Sequence, residues 1–207
     1  AGGADRFAGV RSAVGCNAAS RFLSAKRAPI LSPEEFAAAT GVSRETLDRL
    51  ETYAALLRKW QPAINLVGAT TLPDLWRRHF LDSAQLLALA PPNARVWADL
   101  GSGAGFPGLV LAILGIAEMH LVESDARKCV FLQEVARATG TRVTIHRGRI
   151  EAIPAFVADV RTARAWVPGV HVIQWSRRYA TESSVGLFLK GQDIDREVTE
   201  SARYGIV

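Results

Sequence analysis

Cysteines and long apolar runs are scarce in this chain, and each scarcity excludes a class of protein. Two cysteines, Cys16 and Cys129, stand among 207 residues, too few for a disulfide framework or a metal-ligand cluster. The longest apolar run, GLVLAILGIA, has ten residues, whereas crossing a bilayer takes about 20. We therefore expect no metal and no membrane span, and the cysteine content favours a cytoplasmic protein.

Acidic residues are fewer than basic ones. The chain has 25 Lys and Arg against 20 Asp and Glu, which gives a net charge of +5 and a pI of about 9.7. Basic side chains bind polyanions because their contacts with phosphates release counterions. The balance is compatible with a nucleic-acid partner, although many basic proteins bind none. The length allows one sizeable core and a small appendage.

The first 31 residues differ from the rest of the chain. They are rich in Ala, Gly, Ser and Arg, and Asp5 is their only acid. This composition predicts a low-complexity, basic and disordered extension, or a misplaced start of translation. An organelle transit peptide is the alternative.

Residues 32–92 have a helical pattern. Ser32 and Ser43 are typical N-caps, and Gly41 between them is a typical stop signal. A third helix is predicted to begin near Thr71, where TLPD has the spacing of a capping box, and to run to the Pro91–Pro92 break. We expect an N-terminal helical region over this span.

From residue 93 onward, apolar runs typical of strands alternate with helical ones. Strands are predicted in RVWADL, EMHLVES, RVTIHRG, VADVRTA and SVGLFLK, and helices at 106–114, at 126–139 and from Asp193. This alternation favours an α/β fold with a doubly wound, mostly parallel sheet covered on both faces. Residues 93–207 are thus expected to form the core domain.

The stretch DLGSGAGFPG joins the first predicted strand to a helix. Its glycines Gly101, Gly103 and Gly105 let the backbone turn tightly and approach a ligand. A P-loop needs Lys at its end, and this loop has none. A dinucleotide fingerprint needs glycine where Phe106 stands. A nucleoside without phosphates, such as S-adenosylmethionine, is the remaining class of ligand.

Two acids lie at the ends of the first two predicted strands. Glu123 follows Gly101 by 22 residues, a separation at which an acid hydrogen-bonds a ribose hydroxyl in dinucleotide and nucleoside sites alike. Asp99 directly precedes the loop, and we expect it to approach the cationic methionine end of the ligand. The alternative for Asp99 is a side chain that caps the loop.

Several blocks of the sequence occur together in one family. They are INLVGATTLPDLWRRHFLDS, DLGSGAGFPG, LVESDARKCVFLQEVARATG, GRIEAI, TARA and LFLKGQ. In this order they closely resemble the bacterial methyltransferase G family of small-subunit ribosomal RNA (RsmG, also called glucose-inhibited division protein B). The resemblance covers about residues 43–200 and is specific because the glycine block is joined to RRHFLDS upstream and to VES and RKCVFL downstream.

The resemblance implies a class I methyltransferase (Rossmann-like) fold, S-adenosylmethionine as methyl donor, and methylation of a guanine N7 in 16S ribosomal RNA. It places the Ile150–Glu151 pair near the adenine and Arg164 at the mouth of the pocket, where Arg164 is the expected catalytic residue. The glycine loop, the acids at the two strand ends and the resemblance together give one set of expected cofactor-binding residues. They are Asp99, Gly101, Gly103, Gly105, Phe106, Glu123, Ile150, Glu151 and Arg164.

The implied reaction needs few catalytic groups. Guanine N7 has an exposed lone pair and no proton to lose, so alignment and electrostatics suffice. We expect Arg164 to hold a phosphate or guanine O6 without binding N7, because the usual bidentate contact of Arg with O6 and N7 would block the nucleophile. The alternative for Arg164 is a salt bridge to Glu151 or Asp99.

Basic residues around the predicted pocket are candidates for RNA binding. They are Arg77, Arg78, His79, Arg127, Lys128 and Lys190. The competing interpretation of the arginine pair is a solvated helix face, and that of His79 is a local hydrogen bond with Asp82 or Ser83. The His, Asp and Ser of RRHFLDS do not form a hydrolase triad, whose members come from separate segments.

Two features depart from the family pattern. Residues 166–182 lack its leucine-rich helix, so an irregular helix is expected, and the chain ends where the closing C-terminal strands would follow. A catalytically silent nucleoside-binding remnant of the fold is therefore an alternative, with a nicotinamide-dependent oxidoreductase as the other. The sequence leaves open the oligomeric state and whether naked RNA or an assembled small ribosomal subunit is the substrate.

Overall fold

The computed structural model describes residues 30–164 and 174–189. Five strands form one sheet in the order β3-β2-β1-β4-β5, and every pair is parallel. The strands are β1 (Val96–Leu100), β2 (Glu118–Glu123), β3 (Thr144–Arg147), β4 (Val160–Arg164) and β5 (Val185–Leu189). The predicted α/β fold and the five predicted strands are confirmed.

Helices cover the sheet and precede it. They include α1 (Pro33–Thr40), α2 (Arg44–Trp60), α3 (Asp82–Ala84), α4 (Gly108–Ile113) and α5 (Ala126–Ala138). The predicted caps of the first two are confirmed. Ser32 and Glu35 form a reciprocal capping box, Gly41 ends α1 with a φ of 70°, and the Ser43 side chain accepts a hydrogen bond from the Thr46 amide.

The N-terminal helices share a hydrophobic core with one face of the sheet. Phe36 of α1, Leu50 of α2, Leu109 of α4 and Phe131 of α5 are all completely buried in one contiguous cluster. Residues 32–92 are therefore packed against the core domain.

The helix predicted from Thr71 to the Pro91–Pro92 break is present as an unbroken helical run over residues 72–89, but it is not a regular α-helix. The chain forms 3₁₀ turns at Leu72–Asp74 and Gln85–Leu89, and between them a π-helical segment, Trp76–Leu81, followed by α3. The wide π turn stacks the Trp76 and Phe80 rings at 4.5 Å, and both side chains are buried. Both rings also pack against Phe36 of α1, and this tertiary packing accompanies the departure from regular α-helix. Segments of π-helix occur often at functional sites.

Some sequence predictions concern residues outside the described ranges. These are the extension up to residue 29, residues 166–173, Lys190 and the helix from Asp193. Where the irregular helix expected at 166–182 is described, Arg177–Tyr179 forms one 3₁₀ turn.

The strand order reverses at β1, which lies between β2 and β4. Leu100, the last residue of β1, is in register with Val122 of β2, and Asp99 is in register with Thr162 of β4. The carboxyl ends of these strands therefore meet at one edge of the sheet. In open parallel sheets this reversal point is where ligands bind.

Candidate active site

A cavity of about 910 Å³ lies at the carboxyl edge of the sheet, within the size range of small-ligand sites. The glycine loop forms one wall, the segments at 64–68 and 78–82 form the opposite side, and the first turn of α5 and the ends of β4 and β5 complete it. The lining residues are Ile64, Asn65, Leu66, Val67, Gly68, Arg78, His79, Asp82, Gly101, Ser102, Gly103, Ala104, Phe106, Asp125, Arg127, Lys128, Arg164 and Leu189.

The glycine loop holds its shape through conformations that other residues rarely adopt. Gly101, Gly103 and Gly105 have φ angles of 76°, 57° and 97°, all in the left-handed region. The amides of Gly101 and Ser102 both donate to the carbonyl of Val122 at 2.9 Å, which closes the loop onto β2. At Gly101 and Gly103, which line the cavity, the loop thus presents backbone without a side chain.

The side chain of Glu123, the last residue of β2, binds the same loop through hydrogen bonds. Its Oε2 accepts a hydrogen bond from the Gly103 amide at 2.7 Å, and its Oε1 accepts one from the Asp125 amide at 2.7 Å. The residue is 7% exposed and lies beneath the cavity wall. A carboxylate has about four lone-pair sites, so acceptor capacity remains for a ribose hydroxyl, and that role stays a prediction.

Asp99 is completely buried and does not line the cavity. Its Oδ1 accepts a hydrogen bond from Thr162 Oγ1 at 2.9 Å, and its Oδ2 accepts one from the Gly108 amide at 3.2 Å. These contacts join β4 to the start of α4. The expected approach of Asp99 to a ligand finds no support in this arrangement, whose contacts are those of the loop-capping alternative.

Burial makes Asp99 a pH-dependent element of stability. Desolvation raises the pKa of this carboxyl to about 6, although hydrogen bonds from Thr162, Ser102 and Gly108 oppose the shift. The ordinary value is 3.8, so between about pH 4 and pH 6 the unfolded chain loses a proton that the folded chain keeps. The contribution of Asp99 to stability therefore falls as pH rises through this window.

We expect Asp99→Asn to remove this pH dependence. The Asn Oδ1 replaces Oδ2 as acceptor for the Gly108 amide, and its amide donates to the Thr162 hydroxyl. Relative to the parent, the variant should gain about 2 to 3 kcal/mol of unfolding free energy between pH 4 and pH 7. Urea unfolding at both pH values measures the gain, and a difference that does not change with pH would contradict the assignment.

Arg164 lies at the end of β4 and is tied to the segment that contains the π turn. Its Nη2 donates to the Arg78 carbonyl at 2.5 Å and lies 3.6 Å from Asp82 Oδ2. Desolvation raises the pKa of Asp82, and the charge of Arg164 opposes that shift. The ion-pair partner is therefore Asp82, and the alternative that named Glu151 or Asp99 is wrong because those residues lie elsewhere in the fold.

The Ile150–Glu151 pair follows β3 and does not line the cavity. The Ile150 carbonyl accepts a hydrogen bond from the Tyr179 hydroxyl at 2.7 Å, and the Glu151 carbonyl accepts one from Arg178. Both contacts join the loop after β3 to the 3₁₀ turn before β5. The expected role of this pair near an adenine stays a prediction.

His79 faces the cavity from the π-helical segment and is 5% exposed. Its Nε2 lies 2.8 Å from Thr71 Oγ1, and its ring centroid lies 4.9 Å from that of Phe106. Desolvation lowers the pKa of His79 to about 3, and the charges of Arg164 and Arg78 act in the same direction. The imidazole is therefore neutral at physiological pH, and its Nε2 pairs with Thr71. The predicted local hydrogen bond with Ser83 is present at the backbone, because the Ser83 hydroxyl donates to the His79 carbonyl at 2.6 Å.

The basic candidates divide into two groups. Arg78, Arg127 and Lys128 line the cavity. Arg77 does not, and its Nε lies 3.5 Å from Asp74 Oδ2. The sequence placed all of them near the pocket, and the structure brings the first group to its rim.

Sequence reasoning missed the segment between α2 and the π turn. Residues 64–68 form one wall of the cavity. The Gln61 side chain shapes this segment, since its Oε1 accepts hydrogen bonds from the amides of Leu66 and Val67 and its Nε2 donates to the Val67 carbonyl. The available signal was INLVG within a family block, but apolar letters without periodicity do not reveal that a loop borders a ligand.

Tyr53 of α2 is a second residue that sequence reasoning missed. Its hydroxyl donates to the Ala104 carbonyl at 2.5 Å, and its ring stacks on Phe106 at 5.1 Å. The helical region thus supports the glycine loop directly. Its burial at the loop depends on how α2 packs, which its position in the sequence does not indicate.

The described ranges contain neither a candidate metal site nor a membrane-spanning helix. No group of three or more His, Cys, Asp or Glu side chains there could hold a metal ion. No helix in those same ranges is both long and apolar enough to cross a membrane.

The sequence matches the family model described as rRNA small subunit methyltransferase G over residues 46–206. The chain belongs to this family. A ribosomal RNA small subunit methyltransferase G from Rhodospirillum rubrum is 59% identical over 171 residues, which cover 83% of this chain and 85% of the relative.

Solved structures show the same fold as this member of the family. A ribosomal protein L11 methylase from Lactobacillus delbrueckii superposes with a TM-score of 0.55 at 14% identity, over 69% of this chain and 72% of that one. TYW2 from P. horikoshii, solved in complex with MeSAdo, has a TM-score of 0.51 at 17% identity, over 61% and 52%. The expected class I methyltransferase architecture is confirmed.

Proposed function

We propose that this protein methylates N7 of a guanine in 16S ribosomal RNA, with S-adenosylmethionine as methyl donor. The observation that carries the proposal is the glycine loop, which faces a 910 Å³ cavity with Arg164 at its rim. Membership of the methyltransferase G family supports this substrate. A cytoplasmic location follows from such a substrate.

The residues around the loop suit a nucleoside that carries no phosphate. A Cβ on Gly101 would meet nothing within 4 Å, so space for a ligand begins directly at the backbone. Glu123 holds the loop and retains acceptor capacity for a ribose. When bound, S-adenosylmethionine supplies an electrophilic methyl group on a sulfonium. Gly101, Gly103, Phe106 and Glu123 are the residues that would hold it.

The transfer needs no general base. The N7 lone pair forms the new C–N bond while the S–C bond breaks, and its electron pair returns to sulfur. The product ring carries the positive charge, and no proton leaves. The role of the protein is to orient the base and exclude water. Arg164, anchored through Nη2, orients the guanine from its O6 side while N7 stays free.

Basic residues at the rim provide contacts for the RNA backbone. Arg127 and Lys128 begin α5 on one side of the cavity, and Arg78 lies on the other. Side chains of this kind bind phosphates without reading sequence. Their presence along the cavity, on two separate elements, suits an RNA strand that delivers one base into it.

Gly101→Asp tests the cofactor assignment. A side chain at this φ of 76° would strain the loop and project a carboxylate beside the ligand, so calorimetry should show at least about tenfold weaker binding of S-adenosylmethionine and S-adenosylhomocysteine. Gly115→Asp is the matched control. It has a φ of 116° and open space, but it lies beyond the cavity, so it should bind as the parent does.

Two results would contradict the proposal. Unchanged binding by Gly101→Asp would remove the loop from the cofactor site, and binding of NAD by the parent would favour the oxidoreductase. Transfer of a radiolabelled methyl group to 16S RNA, naked or in the small subunit, tests the activity itself. Cofactor binding without transfer to either substrate would indicate a silent remnant.

A further inference from the structure

Two residues that line the cavity carry buried polar atoms without a hydrogen-bond partner within the described ranges. These atoms are His79 Nδ1 and Arg164 Nη1. Buried polar groups in folded proteins are nearly always paired, so an unpaired one beside a cavity calls for a ligand. Both residues line the same cavity as the glycine loop.

The contacts of His79 define which of its nitrogens carries the proton. Thr71 Oγ1 lies 2.8 Å from the Gly68 carbonyl, and its single hydroxyl hydrogen must be donated there because a carbonyl oxygen only accepts. Thr71 Oγ1 therefore accepts from His79 Nε2 at 2.8 Å. A neutral imidazole carries one N–H, so Nδ1 has a lone pair and is a hydrogen-bond acceptor.

Arg164 provides the opposite polarity. A guanidinium has five N–H donors and no acceptor. In Arg164, Nη2 donates to the Arg78 carbonyl and forms the ion pair with Asp82. This anchor is the carbonyl of the residue next to His79. A fixed donor, Nη1, thus accompanies a fixed acceptor, Nδ1, on neighbouring elements of one cavity.

A neighbouring donor and acceptor match the O6 and N1–H edge of guanine, the purine that carries an acceptor beside a donor there. Guanine carries an acceptor, O6, beside a donor, N1–H. Adenine carries the reverse, an amino donor beside the N1 acceptor. Both guanine atoms belong to the six-membered ring edge, so contacts to them leave N7 of the five-membered ring free.

We propose that Arg164 Nη1 donates to O6 of the target guanine and that His79 Nδ1 accepts its N1–H. The pair selects guanine over adenine and presents N7 to the methyl group. This inference rests on the proposed function. The sequence indicated only that His79 contacts RNA. The inference adds that His79 recognises the target base.

The base modification 1-methylguanosine tests this contact. It retains O6 and N7 but has no N1–H, and ligated 16S RNA can carry it at the target position. With the parent protein, single-turnover methyl transfer should be about 10- to 100-fold slower to this base than to guanosine, since Nδ1 then stays unpaired. Inosine retains O6, N1–H and N7, so it is the matched control and should react like guanosine.

Two substitutions at His79 separate its nitrogens. In His79→Gln the amide nitrogen replaces Nε2 as donor to Thr71, and no group occupies the Nδ1 position. This variant should methylate guanosine and 1-methylguanosine at the same slow rate. In His79→Asn the side-chain oxygen lies near the Nδ1 position, so the difference between the two bases should return.

Calorimetry with S-adenosylhomocysteine provides the second readout. Both variants should bind it as the parent does, which also shows that they fold. The proposal is overturned if the parent methylates 1-methylguanosine as fast as guanosine, or if the penalty persists in His79→Gln. It is also overturned if His79→Gln loses affinity for S-adenosylhomocysteine, because the pair would then hold the amino-acid end of the cofactor. Absence of any transfer or cofactor binding by the parent would instead refute the proposed function.

Discussion

Replacing Gly108 by alanine is expected to lower the free energy of unfolding by about 2 to 3 kcal/mol. Gly108 begins α4 directly beneath the glycine loop, and a Cβ there would lie 2.4 Å from Leu121 Cδ2 and 2.7 Å from both Cβ and Oδ2 of Asp99. These neighbours are completely buried, and a close-packed interior cannot move them aside cheaply. Denaturant titration followed by circular dichroism measures the loss.

Gly68→Ala is the control for this experiment. A Cβ at Gly68 would meet Thr71 Oγ1 at an ordinary 3.7 Å, so the unfolding free energy should change by less than about 0.5 kcal/mol. Equal stability of the Gly108 variant and the parent would show that α4 can move away from β2. The close packing of helix and sheet described above would then be wrong.

Replacing Arg164 by methionine should slow methyl transfer by about 100-fold or more, the usual effect of removing one well-placed charged donor. The variant keeps the length of the side chain but loses the donor that orients the base. Affinity for S-adenosylhomocysteine should change by much less than the rate, because the glycine loop is untouched. Single-turnover transfer and calorimetry on the same preparation separate the two effects.

Two further variants distinguish a loss of activity in Arg164→Met from a loss of folding. Arg164→Met leaves Asp82 without its cationic partner, so the double variant with Asp82→Asn should be as slow but more stable. Arg137→Met removes an exposed arginine paired with Glu134 at the far end of α5, and it should retain the parent rate. Full activity of Arg164→Met would exclude Arg164 from the reaction.

The glycine loop shows how much of the site was accessible from sequence. Local chemistry determined it, because the left-handed φ angles at Gly101, Gly103 and Gly105 require glycine and the absence of Lys excluded a phosphate ligand. The same reasoning did not reveal the contacts that Asp99 makes. Its position beside the loop indicated a ligand contact, whereas the pairing of β1 with β4 places Thr162 against it and buries it completely.

His79 and Asp82 show what sequence could not supply. Their spacing predicted a regular helix with local hydrogen bonds. The local bond from Ser83 to the His79 carbonyl is present, but the segment forms a π turn whose Trp76 and Phe80 rings pack on Phe36 of α1. Arg164, 82 residues after Asp82, forms an ion pair with it. Such contacts depend on how distant segments meet.

The sequence by itself determined the alternation of strands and helices, the caps of the first helices, the loop that suits a nucleoside and the family to which the chain belongs. These properties follow from residue type and spacing over short distances, where backbone sterics and periodicity decide the outcome. Only the tertiary structure decided that the INLVG segment forms a cavity wall, that Asp99 is buried against Thr162, and that His79 and Arg164 line one cavity and each carry an unpaired polar atom. Each of these depends on long-range packing, which decides which polar atoms are paired within the fold and which are left for a ligand.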